Sequence, residues 1–202
     1  MNQGYDRQCT AFAGSMRIAS GGLAEVALAA KAVLDAGAAE PVLIFDHADS
    51  RPVEVDFRGS AADVARRLEA GRAEAAAAGE DQGPRGPGRP RLGVVGREVT
   101  LLPRHWEWLN SQPGGASVTL RKLVEEARRA LAGKERRRRA QDSAYRFMTA
   151  MAGDLPGYEE ACRALFAADG ARFAAEVVAW PQDVREHARM LAEDAFGPDA
   201  GC

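Results

Sequence analysis

Cysteine and histidine are scarce in this chain of 202 residues. Three of each occur, and they lie far apart: Cys9, Cys162 and Cys202, and His47, His105 and His187. An odd number of widely spaced cysteines suits reduced thiols in a cytoplasm better than a disulfide framework. Histidines scattered singly do not make a metal-ligand pattern, so the sequence predicts neither a metal nor a cofactor.

Long apolar runs and catalytic motifs are missing too. No stretch of eighteen apolar residues is present, and residues 1–8 lack the apolar core of a secretory signal, so we expect a cytoplasmic protein without a membrane span. There is no Gly-x-Ser-x-Gly, P-loop, Gly-x-Gly-x-x-Gly after a strand or His-Glu-x-x-His. The segment 46–49, with two aspartates beside His47, is typical of a turn. The sequence therefore predicts that the protein is not an enzyme.

Acids are sparse in the middle of the chain. Between Arg85 and Arg139 lie fourteen of the 27 Lys and Arg residues but only five Asp and Glu residues, so this window carries +9 and the rest of the −2 chain carries −11. Clustered cations gain affinity for phosphate by releasing condensed counterions, which indicates a polyanionic partner. A solvated, arginine-rich helix with no partner is the alternative interpretation of the same charges.

Apolar periodicity predicts an α+β fold. The N-terminal part has the order ββαββα with one antiparallel sheet: strands at 9–12, 16–19, 41–45 and 53–57, and helices at 23–34 and from 60 onwards. Ser60 and Asp63 have the spacing of a helix N-cap box. The later segments predict a short strand at 97–102, helices at 104–111 and from Ser117, and helices at 145–151, 158–167, 171–179 and 184–196.

The composition divides the chain into six segments. Residues 79–96, rich in glycine, proline and arginine, cannot pack a core and are a linker. The segments are a disordered tail (1–8), an acidic α+β domain (9–78), the linker (79–96), a basic strand-helix-helix unit (97–140), a helical region (141–196) and a tail (197–202).

Residues 97–131 resemble the ribbon-helix-helix DNA-binding fold, in which two chains pair their strands into a ribbon that enters the major groove. The resemblance is carried by a strand ending at a proline, a short helix, a Gly-x-Ser turn and a second helix with an apolar stripe. It implies a homodimer with Arg97 and Thr100 on the ribbon and a phosphate at the helix start near Ser117. A helical hairpin packed on an apolar strand, without groove contact, is the alternative. The sequence assigns no role to Trp106 and Trp108.

The linker contains a second candidate contact with DNA. Arg85, Arg89 and Arg91 surround a Gly-Arg-Pro sequence that resembles the AT-hook, whose arginines enter an A·T-rich minor groove. A plain flexible linker is the other interpretation. The arginine run at the end of the second helix adds non-specific attraction to phosphate, and its members are Arg136, Arg137, Arg138 and Arg139.

Three sequence blocks resemble a bacterial family classed as a domain of unknown function. They are REVTLLPRHWEWL at 97–109, PGGAS at 113–117 and AYRFMTAMAGDLPG at 144–157. The resemblance implies a bacterial cytoplasmic protein and brings no catalytic residues. The sequence thus predicts a dimeric DNA-binding transcriptional regulator. The alternative is a protein–protein adaptor whose basic segment pairs with an acidic domain.

Overall fold

The structure is a computed structural model that describes residues 7–79 and 97–197. The elements follow one another in the order β1 (Gln8–Ala13), β2 (Met16–Gly22), α1 (Leu23–Asp35), β3 (Val42–Asp46), α2 (Ala61–Gly79), α3 (Pro103–Ser111), α4 (Gly115–Ala152), α5 (Tyr158–Phe166), α6 (Gly170–Glu176) and α7 (Gln182–Ala192). A short 3₁₀ turn, Glu193–Ala195, follows α7. The predicted α+β class is confirmed.

The sheet has three antiparallel strands in the order β2-β1-β3. A tight turn joins β1 to β2, and Gly14 adopts φ +54° there, a conformation that costs glycine little. Alternation along β1 sends Cys9 and Ala11 to one face and Thr10 and Phe12 to the other. All four side chains are buried, so both faces of the sheet are covered.

The fourth predicted strand, at 53–57, is not formed. The chain after β3 returns beside it only briefly, through a bridge between Phe45 and Pro52 and a hydrogen bond from Val53 N to Ile44 O of 2.8 Å. Proline has no N–H to donate to a ladder, which limits the pairing. The alternating apolar residues are Val53, Val55 and Phe57. They pack instead against the cluster of buried side chains that the sheet and α1 share.

The predicted cap of α2 is confirmed. Asp63 N donates to Ser60 Oγ at 3.3 Å, and Ser60 N donates to Asp63 Oδ2 at 3.0 Å. This reciprocal pair satisfies two backbone donors at the point where the helix begins.

Helix α4 is one continuous helix of 38 residues, which corrects two predictions. The helices expected at 117–131 and 145–151 are parts of it. Arg136, Arg137, Arg138 and Arg139 lie within it rather than at or beyond a helix end. Between Ala116 and Ala152 the chain has no proline and a single glycine, and its Ala, Arg, Lys and Glu residues have high helix propensity. Charge repulsion among the arginines therefore does not end the helix.

The chain forms two compact units. The first, here called the sheet unit, contains the described residues of Met1–Asp81 and Arg136–Pro198. Its main core joins Phe12 and Phe45 of the sheet to Phe147 of α4, Phe173 of α6 and Trp180, so segments far apart in sequence share one interior. A smaller cluster lies between the sheet and α1.

A buried polar contact fixes the turn after β3 against α4. Ser50, with φ +54°, is 1% exposed, and its Oγ lies 2.7 Å from Ser143 Oγ. Arg146 Nη1 donates to Asp49 O at 2.6 Å. Because buried polar groups are costly unless they are paired, these contacts favour a single placement of the turn.

The second unit, here called the α3 unit, contains the described residues from 97 to 135. Its predicted strand at 97–102 is not formed, and these residues are coil leading into α3. A strand needs a hydrogen-bonded neighbour, and a single chain offers none here. Pro103 at the first turn of α3 fixes the end of the coil.

Candidate functional site

The structure separates the predicted DNA-contacting residues into several places. Arg85, Arg89 and Arg91 lie outside the described residues. Arg97 and Thr100 are exposed in the coil before α3. Ser117 is not a cap, because α4 begins two residues earlier at Gly115, but it lies in the first helical turn, where backbone N–H groups lack helical acceptors.

The four consecutive arginines in α4 do not make one patch. Successive helical residues point about 100° apart, so a run of four surrounds the helix. Arg136, Arg138 and Arg139 are exposed, whereas Arg137 is half-buried and its Nη2 donates to Gly197 O at 2.7 Å. Arg138 lies 3.9 Å from Asp142. Arg137 thus has a structural contact within the sheet unit.

A more coherent cationic surface lies in the α3 unit, on the first half of α4. Helical spacing places four cations within one arc, and all of them are exposed: Arg121, Lys122, Arg128 and Arg129. The arc also contains Glu125, which pairs with Arg128 at 3.2 Å. This set of side chains is called the basic face below.

The opposite side of the same helix is apolar and uncovered. Leu123, Val124 and Leu131 are 41%, 56% and 46% exposed. The segment before α4 has four more exposed large apolar side chains: Val99, Leu102, Trp106 and Trp108. Among the described residues of the α3 unit, only Leu109 is buried. Exposed large apolar side chains in this number are more than the single, scattered ones that need no explanation on a monomer.

The sheet unit contains a polar cluster that the sequence patterns did not bring together. Thr10 Oγ1 lies 2.6 Å from His47 Nε2 and 3.1 Å from Ser20 Oγ. Ser20 Oγ lies 3.4 Å from the same His47 nitrogen. Thr10 is fully buried, His47 is half-buried and Ser20 is exposed, so the cluster runs from solvent into the protein.

A second histidine lies on the inner side of this cluster. His187 of α7 is 2% exposed, and its ring centroid is 6.2 Å from that of His47 and 4.5 Å from that of Phe147. Burial, with smaller effects of His47 and Arg17, lowers the pKa of His187 to about 4. Burial also lowers the pKa of His47, and the nearby Asp46 opposes that shift. Both rings are therefore neutral at pH 7.

This cluster was not accessible to sequence reasoning. Counting outward from the turn at Gly14 pairs Thr10 with Ala19, and a β-bulge between Ala11 and Phe12 shifts the register by one residue, so that Thr10 faces Ser20. Nothing in the pattern around His47 or His187 indicates that they approach each other.

Among the described residues, no group of three or more His, Cys, Asp or Glu side chains could hold a metal ion. Burial raises the pKa of the Cys9 and Cys162 thiols, which keeps them protonated.

Residues 8–192 match the bacterial family described as "uncharacterized protein conserved in bacteria (DUF2239)", and the chain belongs to that family. The predicted family resemblance is confirmed at this level. No curated protein and no solved structure matches the chain. In the part of the chain that the structure describes, every helix is too short or too polar to cross a membrane.

Proposed function

We propose that the protein is a homodimer that binds nucleic acid through the α3 unit. The observation that carries this proposal is the two-sided character of α4 between residues 120 and 131. One side presents the basic face, and the other presents Leu123, Val124 and Leu131 to solvent. A helix with these two sides is suited to bind a like helix on one side and phosphates on the other.

The apolar side favours a second copy of the chain as partner. The described residues of the α3 unit, with one buried side chain and seven exposed large apolar ones, gain little stability alone. A twofold pairing would cover the same surface on both copies at once. It would also give the extended coil at 97–102 a strand to pair with, as in the ribbon-helix-helix arrangement.

The basic face favours a phosphate backbone over a specific base sequence. Three of its four cations have no carboxylate partner among the described residues, and an α-helix fits the width of the DNA major groove. Arg97 and the exposed first turn of α4 at Ser117 add further contacts to the same proposal. Arg85, Arg89 and Arg91 supply the AT-hook-like contacts. The cationic charge of Arg136, Arg138 and Arg139 contributes longer-range attraction.

Binding of a labelled DNA duplex across a salt series tests the nucleic-acid part. We expect the parent to lose affinity steeply as salt rises, and Arg121→Gln combined with Arg128→Gln to reduce the slope of log affinity against log salt by about 1.8, because each lost phosphate contact is worth about 0.9. The control, Arg51→Gln with Arg66→Gln, removes two exposed charges from the sheet unit and leaves that slope unchanged. Fluorescence anisotropy with random and A·T-rich duplexes measures the affinity of the parent and of both double variants at each salt concentration.

Absence of binding even at low salt would reject DNA as the ligand, and equal slopes for the two double variants would reject the basic face as its site. If the protein instead binds an acidic protein fragment through the same arginines, the adaptor alternative replaces the proposal.

The dimer is tested separately by mass measurement in solution. We expect Leu123→Glu with Val124→Glu to convert the dimer to a monomer, because two charges per chain would be buried without partners at the interface. Both side chains are exposed in the single chain, so its own fold is unaffected. Met190→Glu, on an exposed methionine of the sheet unit, is the matched control and remains dimeric. Light scattering after size-exclusion chromatography gives the mass, and a parent that is monomeric at all concentrations contradicts the proposal.

A further inference from the structure

We infer that Ser20 is an activated nucleophile that takes up the acyl group of small carboxylic esters, with Thr10 and His47 receiving its proton. The site lies in the sheet unit and is independent of the nucleic-acid proposal. It rests on the geometry of three hydrogen-bonding side chains that reach from the surface to the buried face of the sheet.

The hydrogen bonds have only one consistent direction when Nε2 of His47 carries no proton. Nε2 then accepts, and Thr10, whose Oγ1 is 2.6 Å away, is the donor. Thr10 has one hydroxyl proton, so its oxygen must accept from Ser20 across the 3.1 Å contact. The Ser20 hydroxyl is thus polarised towards His47, which is the arrangement that activates a serine nucleophile.

The surroundings of His47 favour its neutral, proton-accepting form. Burial lowers its pKa, and Asp46 and a hydrogen bond to the backbone of Cys9 oppose that shift. Asp46 is itself paired with Arg7. On the α7 side His187 stays neutral at pH 7 because burial lowers its pKa, with a smaller effect of Arg17, which itself contacts Asp183 and Glu186. His47 is therefore the ring placed to receive the proton of the cluster.

The outer end of the cluster is open to a small molecule. Ser20 is exposed near the end of β2, and Gly22 has no atom within 4 Å of the position a Cβ would occupy. The carboxylate of Glu25 lies against Gly21, which alternates with Ser20 along β2, so this carboxylate is on the opposite face of the sheet from the Ser20 hydroxyl.

The reaction balances without an external cofactor. Ser20 Oγ forms a bond to the ester carbonyl carbon, and its proton passes through Thr10 to Nε2 of His47. The bond between that carbon and the ester's alkoxy oxygen breaks. A leaving alkoxide takes the proton from His47 and departs as an alcohol, whereas p-nitrophenolate departs as the anion and His47 releases its proton to solvent. Water then cleaves the acyl–serine ester, which releases the carboxylic acid and restores the hydroxyl of Ser20.

Acylation by p-nitrophenyl acetate tests the inference with the full-length protein. We expect a burst of p-nitrophenolate and one acetyl group per chain, located on Ser20 by peptide mass mapping after acid quenching. Ser20→Ala abolishes the burst, and His47→Gln slows it about 100-fold, within the range for loss of a general base. Ser15→Ala, an exposed serine in the turn of the same hairpin, leaves it unchanged.

The pH profile separates a proton-accepting His47 from a structural one. Because the pKa of His47 is lowered from 6.5, the burst rate should reach half its plateau below pH 6.5 and become flat above it. Acetyl groups found only on lysines, an equal burst in Ser20→Ala, or a rate that rises continuously with hydroxide would overturn the inference. Since Ser20 is exposed, Ser20→Ala stays folded and the result is decisive even if His47→Gln does not fold.

Discussion

Replacement of Phe147 with alanine is expected to lower the free energy of unfolding of the sheet unit by about 3–5 kcal/mol. Phe147 has no exposed surface and lies at the centre of an aromatic cluster. Its ring centroid is 5.4 Å from that of Phe12, 5.3 Å from that of Phe45 and 4.5 Å from that of His187. Removing the ring leaves a cavity between the sheet, α4 and α7, and three aromatic contacts are lost together.

Urea unfolding followed by circular dichroism measures this effect. For a unit of this size the loss corresponds to a fall in the urea midpoint of roughly 2 M. Phe166→Ala provides the control, because that ring is 52% exposed and contacts only the Tyr145 ring among the aromatic residues described. We expect the control to shift the midpoint by less than a third as much. Equal shifts of the urea midpoint for the two variants would contradict the placement of Phe147 at the centre of the core.

Acidification is expected to destabilise the sheet unit through His187. The pKa of this histidine is about 4 in the folded chain and 6.5 when exposed. Above pH 6.5 the ring is neutral in both states, so His187 causes no pH dependence. Between pH 6.5 and 4 only the unfolded chain binds the proton, so stability falls as pH decreases and then levels off below pH 4. The difference of about 2.5 pKa units corresponds to about 3 kcal/mol.

Urea unfolding at a series of pH values, with His187→Leu beside the parent, isolates this contribution. The carboxylates titrate alike in both proteins, so the difference between the two curves belongs to His187. We expect the difference to grow between pH 6.5 and 4 in favour of the variant. His105→Gln, which changes an exposed histidine of the α3 unit, should follow the parent curve. Parallel curves for His187→Leu and the parent would mean that His187 is not buried in its neutral form.

Local features of the fold were predictable because their causes are local. The turn at Gly14, the first helix after the two glycines at 21 and 22, and the Ser60–Asp63 cap each depend on residues within a few positions of one another. The same reasoning failed at 53–57. Alternation there identifies the half-buried side chains that face the core, but Pro52 limits the pairing that would make these residues a strand.

Long-range packing was not predictable, because periodicity identifies a buried face without identifying what covers it. Phe12, Phe45 and Phe147 each lie on an apolar face, yet nothing in their own segments indicates that they meet. For the basic face of α4, the charges themselves are visible in the sequence. That the arginines at 136–139 lie apart from this face depends on α4 continuing as one helix, which the sequence patterns did not predict. His47 and His187 come together only through the fold.

The contact between the turn after β3 and α4 has a consequence for how the chain folds during synthesis. Ser50 and Asp49 find their partners 93 and 97 residues later, in Ser143 and Arg146. At ribosomal rates of 5–20 residues per second, the N-terminal sheet waits roughly 5–20 s before α4 is available to cover Phe12 and Phe45. During that interval its apolar face is exposed, so this is the stage of synthesis at which the chain is most prone to aggregate.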